Sequence, residues 1–288
     1  MSSKVLIGIT SKDRYSILPT AINSGLNQSY ANKEIAVYDD RSTDATPTLA
    51  EAYPNVHWYF SKEERGYLHG RNMFLANTDA DYYCSLDDDS WFLDNEHLRQ
   101  AIDYMNKFPK VAVLAFKILS DDLRKEIKRG NSIVETNNFI GCGHMLRVSA
   151  VRSVGNYTVN PGYYGGEEKD LCIRLIDKGY TIVRFPEVEI WHDKTTIARD
   201  SARQHRSSVC NDLVFAYRRI PGLILVPIFL YKIFSNLRFA LFYRKGVFVK
   251  SCLKGIRDFF KFLFAGNVNR KPVRMSTYRK FIKLNKMQ

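Results

Sequence analysis

Three carboxylates in a row, Asp87, Asp88 and Asp89, follow the apolar run YYCSL. Like charges this close repel, so a chain that keeps them together either solvates them in a turn or sets them against a cation or hydrogen-bond donors. Asp39 and Asp40 close a second apolar run, EIAVY, Glu167 and Glu168 follow the pair Gly165-Gly166, and His192 follows EVEIW. Taken singly, each group is explained as a helix cap, a turn or acidic residues drawn to a helix N-terminus. Converging on one crevice, the clusters at Asp39-Asp40 and Asp87 to Asp89 cost stability unless a cation or hydrogen-bond donors from a ligand compensate them.

The elements that would position these groups alternate. KVLIGIT, EIAVYDD, VHWYF, YYCSL and VAVLAFKI read as strands. Between them, residues 17–26, 44–52, 68–76 and 95–107 have helical patterning. Strands and helices of this size in alternation imply a parallel sheet covered on both faces, with ligands bound beyond the carboxyl ends of the strands. The residues at those ends are Thr10 to Arg14, Asp39 and Asp40, and Asp87 to Asp89. A further helix is expected over 167–178, stopped by Gly179, and the Gly165-Gly166 pair lets the backbone enter it from a loop.

At 288 residues and 45% hydrophobic content the chain can bury one large core, alone or with an appendage, and is not disordered. The net charge of +13 is unevenly placed: from Arg199 onward 20 Lys and Arg stand against 3 Asp and Glu, whereas residues 1–198 hold 23 basic and 27 acidic groups. An acidic body thus carries a basic tail. Five scattered cysteines form neither a disulfide framework nor a C-x-x-C pair, so reduced thiols in a cytosol are expected. The start MSSKVLIGIT leads straight into a strand-like run, and no secretory leader is read from it.

The succession ITSKDRYSILPTAINSGLNQSYANKEIAVYDDRSTDAT, RGYLHGRN, SLDDDS and GGEEKDLCIRLIDKGY resembles the inverting nucleotide-sugar glycosyltransferases of family 2, over residues 4 to about 192. The resemblance implies a GT-A-like α/β fold: an open, mostly parallel sheet flanked by helices. It puts Asp39 against N3–H of a uracil or thymine, with Thr10 beside the base, and brings Arg14, Arg71 and Asn72 near the nucleotide. It places Asp87 toward the ribose and Asp89, completed by His192, on an Mn2+ or Mg2+ ion at the diphosphate. Asp88 is grouped with the nucleotide-sugar residues, facing solvent or holding the loop. On the acceptor side it implies Gly143 and Glu167, with Glu168 as general base in place of the family's Asp, one methylene longer. The implied reaction is hexosyl or deoxyhexosyl transfer from a UDP- or dTDP-sugar to a glycan or lipid-linked cell-envelope acceptor. Nucleotidyl transfer lacks its Gly-rich phosphate loop here, since GITSKDR has one Gly. A non-catalytic sugar- or nucleic-acid-binding module is the non-enzyme alternative.

In the tail, PGLILVPIFLYKIFSNLRFALFY is interrupted by Pro221, Pro227, Lys232, Asn236 and Arg238, and no conventional membrane span is expected. Downstream, Phe248, Cys252, Ile256, Phe259, Phe260 and Leu263 share one helical face and Lys250, Lys254, Arg257 and Lys261 another, the pattern of a basic membrane-surface helix. The expected division is a catalytic body over 1–198, with a nucleotide-sugar half at 1–117 and an acceptor half at 118–198, and a C-terminal helical basic appendage over 199–288. An anionic membrane surface, met through 220–264 on the cytoplasmic side, is the expected partner; packing on the body or another subunit is the alternative. Nucleic acid is the weaker reading, because the body is acidic. The sequence gives no oligomeric state.

Overall fold

A computed structural model of the chain describes residues 2–121, 131–162, 164–193, 200–243 and 246–286. They fall into two compact units, and the expected boundary at 198/199 lies outside the described residues. The first unit holds residues up to Tyr157, those from Lys178 through the last strand, and Leu284 onward; the second holds Thr158–Asp177 and 200–283.

The first unit is built on strands β1 (Val5–Ser11), β2 (Lys33–Asp39), β3 (His57–Phe60), β4 (Tyr82–Asp87), β5 (Ser90–Phe92), β6 (Val111–Leu119), β7 (Val134–Thr136), β8 (Gly143–Arg147) and β9 (Thr181–His192). They form one open sheet in the order β3-β2-β1-β4-β8-β6-β9-β5, with β7 also paired to β9. The first four strands are parallel, as strand–helix alternation requires. From β4 outward the sheet is mixed: β8 runs antiparallel to both β4 and β6, while β6 and β9 are parallel. Only Asp88 and Asp89 separate β4 from β5, too few residues for a crossover, and β5 pairs antiparallel with β9.

The flanking helices are α1 (Leu18–Leu26), α2 (Leu49–Ala52), α3 (Tyr67–Asn77), α4 (His97–Lys107) and α5 (Val148–Ser153). Pro19 sits in the first turn of α1, where its missing N–H costs no helical bond. In α4 the buried residues Leu98, Ala101, Ile102 and Met105 recur at helical spacing and join the core formed by Val5, Ile7, Ile9, Cys84, Leu86 and Leu114. Helix α3 lies close on the sheet: a Cβ at Gly70 would sit 2.5 Å from the Tyr38 ring. Glycine there lets α3 approach closely enough for its next residue, Arg71, to reach the end of β4.

The second unit comprises α6 (Glu167–Asp177), α7 (Ser201–Arg219), α8 (Gly222–Tyr243), α9 (Val247–Phe264) and most of α10 (Met275–Lys286). Asp200 caps α7 by accepting from the backbone N–H of Ala202 and Arg203, each at 3.0 Å. Helix α6, expected with the catalytic body, falls in this unit, where an ion pair to α7 and a hydrogen bond to α10 tie it to the tail helices. Asp170 is paired with Arg174 at 2.8 Å and with Arg219 of α7 at 2.6 Å, and Asp177 accepts from Thr277 Oγ1 of α10 at 2.6 Å.

The expected lipid-facing side of α9 is instead largely covered. Phe259 packs with Cys210, Leu213 and Val214, and Cys252 with Val209 and Ala240; Phe248, Ile256 and Leu263 rest against the same clusters. Helix α8 begins just after Pro221 and runs unbroken through the other four residues read as interruptions, and Gly222–Phe242 is long and apolar enough to cross a membrane by length and composition.

Burial pushes the Asp170 carboxyl up, but Arg174 and Arg219 outweigh it and hold it below the ordinary carboxylate range. Its contribution to stability is therefore complete above a pH of about 4 and is lost as the pH falls through the depressed value. Asp170→Asn should lower stability in urea at neutral pH by about 3–5 kcal/mol, and the difference from the native chain should shrink on acidification. A difference that stays constant down to acid pH would contradict this assignment.

Candidate active site

The strand register brings the N-terminal candidates to within one residue of each other. Ser11 lies opposite Asp39, and Thr10 lies between Tyr38 on β2 and Asp87 on β4. Thr10, Asp39 and Asp87 thus stand at the carboxyl ends of three adjacent parallel strands, where ligands bind in such sheets. Asp39, 2% exposed, accepts hydrogen bonds from Ser42 N at 3.1 Å and Ser42 Oγ at 2.5 Å. Carboxylate oxygens take two bonds each, so acceptor capacity remains. Across from it, Ser11 Oγ is buried without a hydrogen-bond partner among the described residues, a polar atom suited to a ligand.

The remaining polar residues of these loops hold the backbone. Asp40 accepts from Arg65 N and Gly66 N, both at 2.8 Å, fixing the approach to α3. Asp13 accepts from Thr43 N at 2.6 Å, and Arg14 N donates to Thr46 Oγ1 at 2.9 Å, tying the loop after β1 to the loop after β2. The turn-forming explanation of DDRSTD therefore applies to Asp39, through Ser42, and to Asp44, which accepts from Thr46 N at 2.9 Å, whereas Asp40 bonds outside the turn.

In the acidic turn the three carboxylates have different partners. Asp87 Oδ1 accepts from Arg71 Nη2 at 2.6 Å, and the same nitrogen donates to Gly141 O at 2.8 Å. Arg71 is 1% exposed and lies over the Tyr67 ring, so it acts as the internal counter-ion of Asp87. Burial opposes its charge, but Asp87 prevails and keeps the guanidinium pKa well above its usual range. Asp88 does not face solvent: it accepts from Lys12 N at 3.2 Å and lies 3.4 Å from Arg14 Nε, joining the turn to the loop after β1. Burial, then the Asp89 and Asp87 charges, push its carboxyl up to about 7 against the pull of Arg14. Asp89, 5% exposed, lies 3.3 Å from His192 Nε2, and its carbonyl accepts from Asp193 N at 2.9 Å. The register pairing of Ser90 with His192 sets this approach.

Sequence reading missed three groups around this turn. Cys142 is buried, and its sulfur and donor atoms of Asp87 and His192 lie within 4.8 Å of one another. Ser90 Oγ donates to Cys142 O at 2.8 Å and accepts from Asp87 N at 2.8 Å, latching the turn to the segment before β8. His144 Nε2 meets Tyr157 Oη at 2.8 Å, while the Asn72 side chain accepts from Tyr157 N and donates to Tyr157 O, each at 3.0 Å. Burial first, then Arg71, lower the His144 pKa well below its usual value, so its imidazole is neutral. Serine and cysteine about fifty residues apart carry no shared sequence signal; the Arg71-Asn72 pair did. At Gly143 the space of a Cβ is taken by Ile118 and Ile190, so the sheet contacts there require glycine.

Glu167 and Glu168 belong to the second unit. Gly165 and Gly166 have φ of +87° and +94°, the left-handed region that glycine adopts without strain, and turn the chain into α6. Asn211 of α7 holds this loop, accepting from Gly162 N at 2.9 Å and donating to Gly165 O at 2.7 Å. At the start of α6, Glu167 is buried and Glu168 half-buried. Lys169, next in line, pairs with Asp212 at 3.3 Å.

The family model for "Glycosyl transferase family 2" matches residues 6–155. An uncharacterised glycosyltransferase of Rickettsia typhi is 33% identical over 96 residues, a stretch covering 33% of this chain and 30% of that protein. The chain thus matches under a third of that relative's length. Among solved structures, the Pyrobaculum calidifontis mannosyltransferase PcManGT in complex with GDP-Man and Mn2+ superimposes with a TM-score of 0.63 at 15% identity, over 93% of this chain and 80% of that one. Residues 1–349 of S. aureus TarS with UDP-GlcNAc give 0.65 at 16% identity, over 90% and 81%. The fold is the GT-A glycosyltransferase fold. The chain belongs to glycosyl transferase family 2.

Because Arg71 is the buried partner of Asp87, Arg71→Met leaves that carboxylate without compensation. Urea unfolding should show a loss of about 2–3 kcal/mol, with Arg71→Lys recovering only part of it. A loss below about 0.5 kcal/mol, the level of an ordinary surface change, would remove Arg71 from this role.

Proposed function

We propose that this chain is an inverting glycosyltransferase that moves a hexosyl or deoxyhexosyl group from a UDP- or dTDP-sugar to a hydroxyl of a glycan or lipid-linked cell-envelope acceptor. The observation that carries the reading is that Thr10, Asp39 and Asp87 stand within one residue of each other in register at three adjacent strand ends, with Asp89 and His192 closing the same turn. Family membership favours glycosyl over nucleotidyl transfer.

In this reading Asp39 accepts N3–H of the uracil or thymine, and the orphaned Ser11 Oγ beside it offers a second polar contact to the base. Asp87, held by Arg71, faces the ribose, and Asp88 with Arg14 keeps the loop after β1 against the turn. Asp89 and His192 offer an oxygen and an imidazole nitrogen 3.3 Å apart in a buried turn with excess negative charge, a donor set that fits Mn2+ or Mg2+. Cys142 is the weakest candidate there, because burial raises its thiol pKa well above the ordinary value and keeps it protonated. When bound, such an ion neutralises the charge that develops on the departing diphosphate. Glu168 takes the proton of the acceptor hydroxyl, whose oxygen then attacks the anomeric carbon from the face opposite the leaving group. The Asn211-held Gly165-Gly166 turn fixes where α6 begins, and so where Glu168 is presented. The division into a donor half at 1–117, an acceptor half at 118–198 and a basic extension at 199–288 is part of the proposal, as is a peripheral position on the cytoplasmic face of a membrane.

The test is a donor screen over UDP-, dTDP- and GDP-sugars with Mg2+ and Mn2+, read as nucleotide release. UDP- or dTDP-sugar turnover is expected, falling about 100-fold or more in Glu168→Gln with little change in donor-induced thermal stabilisation. Release from no donor, or from GDP-sugars alone, would overturn the donor assignment. Unaltered turnover in Glu168→Gln would remove Glu168 from the mechanism.

A further inference from the structure

Helix α8 alternates two covered with two exposed residues for most of its length. The covered side packs inside its own unit: Phe229 and Ile233 rest on the cluster around Leu213 and Phe259, Leu237 on the cluster around Val209, and Ala240 is fully buried. The outward side is almost continuously apolar. Leu223, Val226, Leu230, Tyr231, Phe234 and Phe242 are between 60% and 93% exposed. Only Ser235 and Arg238 place polar side chains on that stripe among the described residues. A helix of 22 residues is about 33 Å long, so the stripe is far larger than the scattered apolar residues of an ordinary surface.

We infer that the outward face of α8 is a membrane-docking surface that lies in the plane of an anionic bilayer. The inference rests on the peripheral placement proposed above and names the element responsible. Charge selects the occupant. From Arg199 onward the chain carries 20 basic against 3 acidic residues, and on α9 Lys250, Lys254, Arg257 and Lys261 are exposed beside Leu253 and Phe264. An apolar stripe with adjacent cations matches a surface of acyl chains under anionic headgroups.

The same contacts argue against a spanning orientation. Lys232, on the covered side, is paired with Asp212 of α7 at 2.5 Å, and Phe229 packs on Phe259 of α9 with ring centroids 5.1 Å apart. Crossing a bilayer would strip that ion pair and place Lys232 in hydrocarbon, whereas lying in the interface keeps it. The apolar residues read from sequence as membrane-facing, Cys252 and Phe259, hold α9 to α7 and α8 instead, and lipid contact passes to α8.

Flotation of the full chain with vesicles of phosphatidylcholine containing about 30 mol% phosphatidylglycerol tests this, with pure phosphatidylcholine and high salt as controls. Binding to the anionic vesicles is expected, weakened by salt and released by alkaline carbonate. The double variant Leu230→Gln/Phe234→Gln, at exposed positions, should bind about tenfold or more weakly with an unchanged melting temperature. Lys254→Glu/Lys261→Glu should lose the preference for anionic lipid. If the native chain floats and the α8 variant floats equally well, the α8 assignment fails while peripheral binding stands. If the native chain ignores both vesicles, peripheral binding itself fails. Resistance to carbonate would overturn the in-plane orientation. A dimer in solution that the α8 variant converts to monomer, with no flotation, would assign the face to a second copy and overturn the inference.

Discussion

Three carboxylates confined to one turn must be compensated, and the way this chain compensates them organises its first unit. Asp87 has a buried guanidinium, Asp88 a backbone N–H and the edge of Arg14, and Asp89 the imidazole of His192. These partners come from α3, the loop after β1 and the end of β9. Bringing them to one turn requires Gly70 to let α3 close on the sheet and β5 to pair with β9 in register. The partial compensation also shows in Asp88, whose carboxyl is pushed up to about 7 by burial and by its two neighbours. A further positive charge at this turn would relieve that repulsion, which links the fold's electrostatics to the proposed chemistry.

The sequence made the parallel half of the sheet legible, because strand and helix periods alternate cleanly from Val5 to Lys107 and the strand ends carry the polar residues. It did not disclose β8, since the antiparallel return past β4 depends on pairing between segments about sixty residues apart. Asp39, Asp87 and Asp89 could be read because they sit at the ends of apolar runs. Ser11, Ser90 and Cys142 could not, since each matters only through a partner on another strand. The packing that requires glycine at 143 was hidden for the same reason: its neighbours Ile118 and Ile190 come from β6 and β9.

The tail shows a different limit of pattern reading. Helical periodicity identifies an apolar face but not what covers it. In α9 that face is used up by α7 and α8, whereas α8, apolar nearly all round, can satisfy both an internal contact and an exposed stripe. Lys232 looked like an interruption along the chain, yet beside Asp212 it becomes an internal ion pair that anchors the helix.

The most direct measurement of the central claim is Mn2+ binding to the full chain, followed by the paramagnetic resonance signal of free Mn2+ with and without UDP. About one bound ion is expected, tighter in the presence of UDP and weakened about tenfold or more in Asp89→Asn and His192→Ala. Mn2+ binding that is absent with UDP present, or that is indifferent to both substitutions, would contradict the account.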